Sequence, residues 1–218
     1  MMGKKLLLIG GGGHCHSVID SVINVGIYNE IGVVAKDQDN YNALKDDTLL
    51  APYLVGTDEN LTKLFESGWN CAFITLGSVG NTGGRRILYR NLSDLGFEIP
   101  IIIDPSAVVS CWATIEKGVY IGKRAIINAG SKVGACAIIN TGTIVEHDCV
   151  IGNFAHISPG TTLCGQVSIG NDSHIGAGSV VRQCINIGLS SMIGAGSVVV
   201  KDIPDNVKAY GNPCRVVE

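Results

Sequence analysis

The chain has 218 residues and a formal net charge of −3, so it is long enough for one or two domains and gives no basic footprint for nucleic acid. No apolar run approaches the roughly 20 residues that a membrane-spanning helix needs, and the start of the chain has no signal-peptide pattern. The eight cysteines form no Cys-x-x-Cys pair, which predicts reduced thiols in a cytoplasmic protein rather than a zinc or redox motif. The 29 glycines, with only 6% aromatic residues, indicate a repeat.

The first hundred residues alternate strands and helices, which predicts a Rossmann-like α/β domain over residues 1–100. The predicted elements, in chain order, are strand 5–9, helix 16–25, strand 31–34, helix 58–66, strand 71–76 and helix 84–95. In a parallel unit of this kind ligands bind at the carboxyl ends of the strands. The loops at residues 10–14 and 77–80 are therefore predicted to line the crevice.

The first loop lies within LLLIGGGGHCHSVID, residues 6–20. Glycines between a strand and a helix let a phosphate approach the backbone and the helix N-terminus. The dinucleotide fingerprint would need a third glycine and an acidic residue after the second strand, but Cys15, Ala35 and Lys36 do not fit it. This disfavours NAD and leaves two alternatives, a turn without a ligand or a site for another nucleotide-like or sugar ligand.

The second half of the chain repeats every six residues without an insertion. Seventeen positions carry Ile, Val or Leu: Ile103, Val109, Ile115, Ile121, Ile127, Val133, Ile139, Val145, Ile151, Ile157, Leu163, Ile169, Ile175, Val181, Ile187, Ile193 and Val199. A helix cannot keep every sixth residue on one face, whereas a short strand can direct this residue and the one two places earlier inward. The pattern predicts a left-handed parallel β-helix over residues 101–218, with three strands in each 18-residue coil.

The repeat and the ending KDIPDNVKAYGNPCRVVE resemble the hexapeptide acyltransferases. With the GGGGH loop, the whole chain is similar to the branch that holds the UDP-amino-sugar N-acetyltransferases and the sialic acid O-acetyltransferases. Further matching segments are NTGTIVEHDCVIGNFAHISPG at 140–160, GNTGGRRILYRNL at 80–92 and IIDPSAVVS at 102–110. The resemblance implies an acetyl-CoA-dependent homotrimer.

The resemblance also implies that His147 is the general base and that Asp148 makes its imidazole more basic. His147 lies two positions after the inward Val145, which places it at a corner of the β-helix. Imidazole exchanges protons near neutral pH, and an adjacent carboxylate stabilises its charged form. An ordinary exposed corner histidine is the alternative.

Acetyl-CoA is implied to lie in a groove between subunits, beside His156, Ala177 and Ala195. His174 follows His156 by one coil, so we expect the two rings to stack on the same outer face, with His174 solvated. Two histidines without a third ligand make a poor metal site, and we expect none.

The acceptor is implied to contact Gly12, Gly13, His14, Gly77 and Gly165. Three positions depart from the branch. A glycine is usual where Cys15 stands, and an aspartate pair that binds uracil is usual where Ala35 and Lys36 stand, which weakens the case for uridine.

Three functions follow from these residues. The first is acetyl transfer to the amino group of a nucleotide-linked amino sugar, in surface glycan biosynthesis. The second is O-acetylation of sialic acid. The third is a non-catalytic scaffold that binds a sugar nucleotide. The identity of the sugar, the nucleotide and the acyl group is left open.

Overall fold

The computed structural model describes residues 4–217 and confirms the predicted fold class. The described chain forms two compact units. The first contains residues up to Gly77 together with Gly83–Pro100, and the second contains Ser78–Thr82 together with residues from Ile101 onward. None of the helices within residues 4–217 has the length and apolar character that a membrane crossing requires.

The first unit is built on a four-stranded parallel sheet in the order β3-β2-β1-β4. Its strands are β1 Lys5–Ile9, β2 Glu30–Ala35, β3 Leu54–Thr57 and β4 Cys71–Ile74. Its helices are α1 Gly13–Val25, α2 Gln38–Leu44, α3 Leu61–Glu66 and α4 Gly83–Asp94, with 3-10 turns at Ala51–Tyr53 and Asp58–Asn60. The centre of β1 is fully buried, as expected of a central parallel strand.

Helix α1 begins at Gly13, three residues before the predicted start. Gly12 is its N-cap with extended backbone, and the amide of Cys15 donates to the Gly12 carbonyl at 2.7 Å. Cys15 is buried on the same side as Val18 and Val22, so the apolar stripe extends further back than predicted. This burial also raises the pKa of the Cys15 thiol to about 11.

Helix α2 and strand β3 were not predicted. Helix α2 has no buried residue and therefore no apolar period in its sequence. Its start is fixed by Asp37, whose carboxylate accepts the Asn40 amide at 2.9 Å. Strand β3 has only four residues, one of them glycine, so it leaves a weak pattern.

The second unit is the β-helix. Its seventeen two-residue strands are β5 Ile102–Ile103, β6 Val108–Val109, β7 Thr114–Ile115, β8 Tyr120–Ile121, β9 Ile126–Ile127, β10 Lys132–Val133, β11 Ile138–Ile139, β12 Ile144–Val145, β13 Val150–Ile151, β14 His156–Ile157, β15 Thr162–Leu163, β16 Ser168–Ile169, β17 His174–Ile175, β18 Val180–Val181, β19 Asn186–Ile187, β20 Met192–Ile193 and β21 Val198–Val199. A hairpin of β22 Lys208–Gly211 and β23 Cys214–Val216 follows.

The strands stack into three parallel sheets, which we name after their first strands. The β5 sheet, the β6 sheet and the β7 sheet each take every third strand, so residues 18 apart pair, as Val145 does with Leu163. From Ile121 to Val199 the inward residues are at most 2% exposed. Ile103 is 36% exposed, because no earlier coil packs against it.

Candidate active site

His147 and Asp148 form a hydrogen-bonded pair at one corner of the β-helix. Their Nδ1 and Oδ2 atoms lie 2.9 Å apart, and the side chains are 60% and 58% exposed. An ionised carboxylate only accepts hydrogen bonds, so Nδ1 donates and the lone pair of Nε2 is left available. The pair therefore has the protonation geometry of a general base and its orienting group.

Gly165 lies on the coil that follows, directly beside the imidazole. A Cβ atom built on Gly165 would stand 2.5 Å from Nε2 of His147. The imidazole of His147 can therefore occupy this position only because residue 165 has no side chain. The same corner continues along a groove of about 430 Å³, which is lined by Cys164, Arg182, Gln183 and Cys184.

His156 and His174 stack on the outer face of the β5 sheet, as predicted. Their ring centroids are 5.0 Å apart in an edge-to-face arrangement. Nδ1 of His156 donates to the Ser78 carbonyl at 2.7 Å, and its Nε2 accepts from Asn140 at 3.2 Å.

The prediction that His174 is solvated is wrong. Its side chain is only 7% exposed, because the segment Ser78–Thr82 lies along this face of the β-helix. The Thr82 hydroxyl donates to Asp172 at 2.6 Å, and this hydrogen bond holds the C-terminal end of the segment against the β-helix. Burial lowers the pKa of His174 below its ordinary value of 6.5, with the Ser78 backbone opposing the shift.

Ala177 and Ala195 occupy equivalent exposed corners one coil apart. The amide of Gly196 donates to the Ala177 carbonyl at 2.8 Å. The corners of Ala177 and Ala195 come just before strands of the β6 sheet, and the corner of His147 comes just after one. The two columns of corners therefore lie at opposite ends of the strands of that sheet. Because alanine side chains are small, they protrude little from the surface at these corners.

In the first unit, Gly12, Gly13, His14 and Gly77 lie together at the carboxyl edge of the sheet. Nothing stands within 4 Å of a Cβ atom built on Gly12 or Gly13, so the backbone there is open to a ligand. A Cβ on Gly77 would contact the side chain of His14 at 3.6 Å. The amides of the first turn of α1 and the helix dipole make this edge suitable for a phosphate. Gly165 belongs to the other unit.

Sequence reasoning missed a second feature of this edge, a cleft of about 200 Å³. It is lined by Ile9, Gly10, Lys36, Asp58, Leu76, Gly84, Ile87 and Leu88. Asp58 directly follows β3, at the carboxyl edge of the sheet, where ligands of open α/β sheets bind. Because β3 itself was not predicted, Asp58 was not singled out.

No group of three or more His, Cys, Asp or Glu side chains within residues 4–217 is arranged to hold a metal ion. All eight cysteines are free thiols.

Comparisons with known families match both halves of the chain. The PglD N-terminal domain matches residues 5–92. The bacterial transferase hexapeptide (six repeats) matches residues 148–183, and the hexapeptide repeat of succinyl-transferase matches residues 166–201.

Solved structures show the same likeness over the whole chain. A histidine-to-asparagine variant of perosamine N-acetyltransferase from Caulobacter crescentus, in complex with CoA and GDP-perosamine, is 36% identical, with 100% of this chain and 98% of that chain covered and a TM-score of 0.89. The acetyltransferase domain of PglB from Neisseria gonorrhoeae, in complex with acetyl coenzyme A, is 33% identical, with 99% and 100% covered and a TM-score of 0.85. WeeI from Acinetobacter baumannii shares the fold at 22% identity, with 98% and 100% covered and a TM-score of 0.84.

A Rossmann-like unit followed by a β-helix with a histidine–aspartate corner defines an acyltransferase of the hexapeptide-repeat class. Within that class, the chain belongs to the hexapeptide-repeat sugar N-acetyltransferases that carry the PglD N-terminal domain.

Proposed function

We propose that this enzyme transfers the acetyl group of acetyl-CoA to the amino group of a nucleotide-linked amino sugar, in surface glycan biosynthesis. The observation that carries the proposal is the His147–Asp148 pair, with Nε2 open beside Gly165. Complexes of the relatives with CoA, acetyl-CoA and GDP-perosamine support the choice of both substrates.

In the proposed reaction, the amine of the sugar attacks the thioester carbonyl while Nε2 of His147 removes its proton. The C–N bond forms and the C–S bond breaks, and CoA leaves as a thiol after it receives that proton from the imidazolium of His147. Asp148 holds Nδ1 and stabilises the charge that develops on the imidazole. A backbone N–H stabilises the oxyanion, which lowers the barrier further.

The nucleotide is assigned to the first unit. The open amides at Gly12 and Gly13 and the N-terminus of α1 bind its phosphates, beside His14 and Gly77. Gly165 is assigned to the acceptor side of the base, where the lack of a side chain leaves room for the imidazole of His147.

Acetyl-CoA is assigned to the surface marked by His156, Ala177 and Ala195. The two alanine side chains protrude little, so a pantetheine chain can lie along these corners. The backbone carbonyls and amides there supply the polar contacts. His156, half-buried and held by Ser78, presents a fixed ring edge.

The outer surface of the β6 sheet supports a homotrimer. Five of its six outward residues are apolar, and we call this set the apolar row: Val108, Ile126, Ile144, Thr162, Val180 and Val198. Val108 is 63% exposed and Val180 is 39% exposed. The equivalent row of the β7 sheet is mostly polar: Thr114, Lys132, Val150, Ser168 and Asn186. A mostly apolar row that is partly exposed along one face is typical of a subunit interface.

Such a trimer would complete the site. The apolar row lies between the corner of His147 and the corner of Ala177. Three copies that turn this face toward a common axis bring the His147 corner of one copy to the Ala177 corner of the next. We place the enzyme in the cytoplasm, because eight free thiols suit a reducing compartment.

The experiment that tests the function measures CoA release with a panel of nucleotide-linked amino sugars. Replacing His147 with alanine is expected to lower kcat by roughly 10²–10⁴-fold and to leave acetyl-CoA binding intact, because only the proton acceptor is lost. Asn24→Ala, an exposed position near the end of helix α1, is the control. A His147→Ala enzyme that kept most of its turnover would exclude this mechanism, and turnover confined to free sialic acid would replace the acceptor.

A further inference from the structure

The cleft of about 200 Å³ in the first unit has mostly apolar walls, which suit a flat ring. It is smaller than the roughly 300–1,000 Å³ pockets that enclose drug-sized ligands, so it fits one part of a larger ligand. Leu76 and Ile87 on its walls are 41% and 59% exposed, although both are large and apolar. Two charged side chains, Lys36 and Asp58, stand among these apolar groups.

Asp58 is the unusual member of the lining. Its Oδ1 atom is buried and has no hydrogen-bond partner among residues 4–217. A buried carboxylate oxygen without a donor is costly, and such atoms are rare in folded proteins. Burial raises the pKa of Asp58 to about 6, with the charge of Asp37 adding to the shift and that of Lys36 opposing it. The cleft therefore presents an unused acceptor to its occupant.

We propose that this cleft binds a guanine base, with Asp58 accepting from the N1–H and N2 amino groups and Lys36 donating to O6 and N7. The inference rests on the proposed function, because it names the nucleotide that carries the amino sugar.

Guanine is the common base that offers a carboxylate two adjacent donors, and its O6 and N7 acceptors are the usual partners of a lysine. Uracil has a single N–H between two carbonyl oxygens, so it offers Asp58 one donor where guanine offers two adjacent donors. Adenine and cytosine place an acceptor beside their amino group, so each would also set a lone pair against Asp58. The arrangement of one acid and one base on apolar walls selects guanine by its pattern of donors and acceptors.

The test measures the affinity of the full chain for nucleoside diphosphates by calorimetry near pH 7.5, where the carboxylate of Asp58 is ionised. GDP is expected to bind about 10- to 100-fold more tightly than UDP or ADP. IDP, which lacks the 2-amino group, is expected to bind more weakly than GDP. UDP affinity equal to that of GDP, or no binding by any of these diphosphates, would overturn the inference.

The Asp58→Asn variant makes the test sharper because it is expected to gain a ligand. An asparagine offers one acceptor and one donor, which match N1–H and the O2 carbonyl of xanthine. The variant should lose about 10- to 100-fold in GDP affinity and gain affinity for XDP. Glu59→Gln makes the same change of charge at the neighbouring exposed position and should leave both affinities unaltered. An unchanged ratio of GDP to XDP affinity in the Asp58→Asn variant would contradict the inference.

Parallel acetylation assays separate this inference from the proposed function. Acetylation of UDP-linked but not GDP-linked amino sugars would refute guanine recognition and leave the transferase reaction standing. Selective binding of GDP without acetylation of any nucleotide-linked amino sugar would support guanine recognition and refute the transferase reaction.

Discussion

At the scale of the residue, the position of the His147 ring depends on the absence of a side chain at Gly165. This glycine does not have a left-handed φ, so an alanine is compatible with its backbone. The conflict is purely spatial, since the added Cβ would also stand 2.7 Å from Cε1 of the ring. The ring must therefore rotate or shift to admit a methyl group.

We predict that Gly165→Ala lowers kcat by roughly 10²-fold, the loss that a displacement of about 1 Å typically produces in an active site. Acetyl-CoA affinity and thermal stability should change little, because the corner is exposed. Steady-state kinetics, a melting curve and a CoA titration check this, with Asn24→Ala near the end of helix α1 as the control. A fully active Gly165→Ala variant would show that catalysis does not depend on the position of Nε2 of His147 beside residue 165.

The sequence predicts His147 and Asp148 together, because the motif and the six-residue count place them at a corner. The close approach of Gly165 depends on how consecutive coils stack, and only the structure shows the distance between its backbone and the ring. Asp58 was missed for a different reason. The strand before it is too short and too irregular to leave a pattern.

At the scale of the element, the segment Ser78–Thr82 and His174 form a pH-dependent contact. The pKa of His174 is lowered in the folded chain, so below pH 6.5 an exposed His174 binds more protons than the buried one. The buried arrangement is therefore favoured above pH 6.5 and is progressively lost as the pH falls below it. The neighbouring titratable groups are His156, in ring contact, and Asp172, which accepts from Thr82.

We predict that the amides of residues 78–82 lose hydrogen-exchange protection between pH 7.5 and pH 5.5, after correction for intrinsic rates. The loss should reach at most roughly tenfold per pH unit, the limit for one proton. His174→Asn should flatten this dependence, whereas His16→Asn in the first unit should not. A His174→Asn variant that remained as sensitive as the wild type would assign the effect to His156.

The elements that the sequence predicts best are those with a strict local period. Each hexapeptide needs only its own apolar residue and its own corner to form a strand, so all the β-helix strands follow from counting. The cover over His174 comes from residues far away in the chain. The six-residue period therefore could not predict that the side chain of His174 is buried.

At the scale of the whole molecule, the apolar row predicts how copies of the chain associate. A charge placed on this row would have to be buried in the proposed trimer, and a buried unpaired charge is strongly unfavourable. Val150, at 46% exposure, provides the same side chain at the equivalent outward position of the polar β7 sheet.

We predict that light scattering gives a mass of about three times the 22.8 kDa of the chain. Val180→Asp should shift the protein toward monomer and lower its activity, whereas Val150→Asp should leave both unchanged. A monomeric wild-type enzyme with full activity would contradict the trimer, and equal effects of both variants would remove the role given to the apolar row.

The column of corners that holds His147 has a consequence for how such enzymes diverge. Gly165 and Gln183 occupy the same backbone position one and two coils further along, at the spacing of about 4.8 Å that separates neighbouring strands. A histidine in place of Gly165 or Gln183 would move the proposed proton acceptor along the β-helix by one or two coils, without an insertion, a deletion or a new turn. The distance between a reacting amine and the rest of its carrier is thus open to change by single substitutions, and acceptor length becomes an evolvable property of a rigid fold.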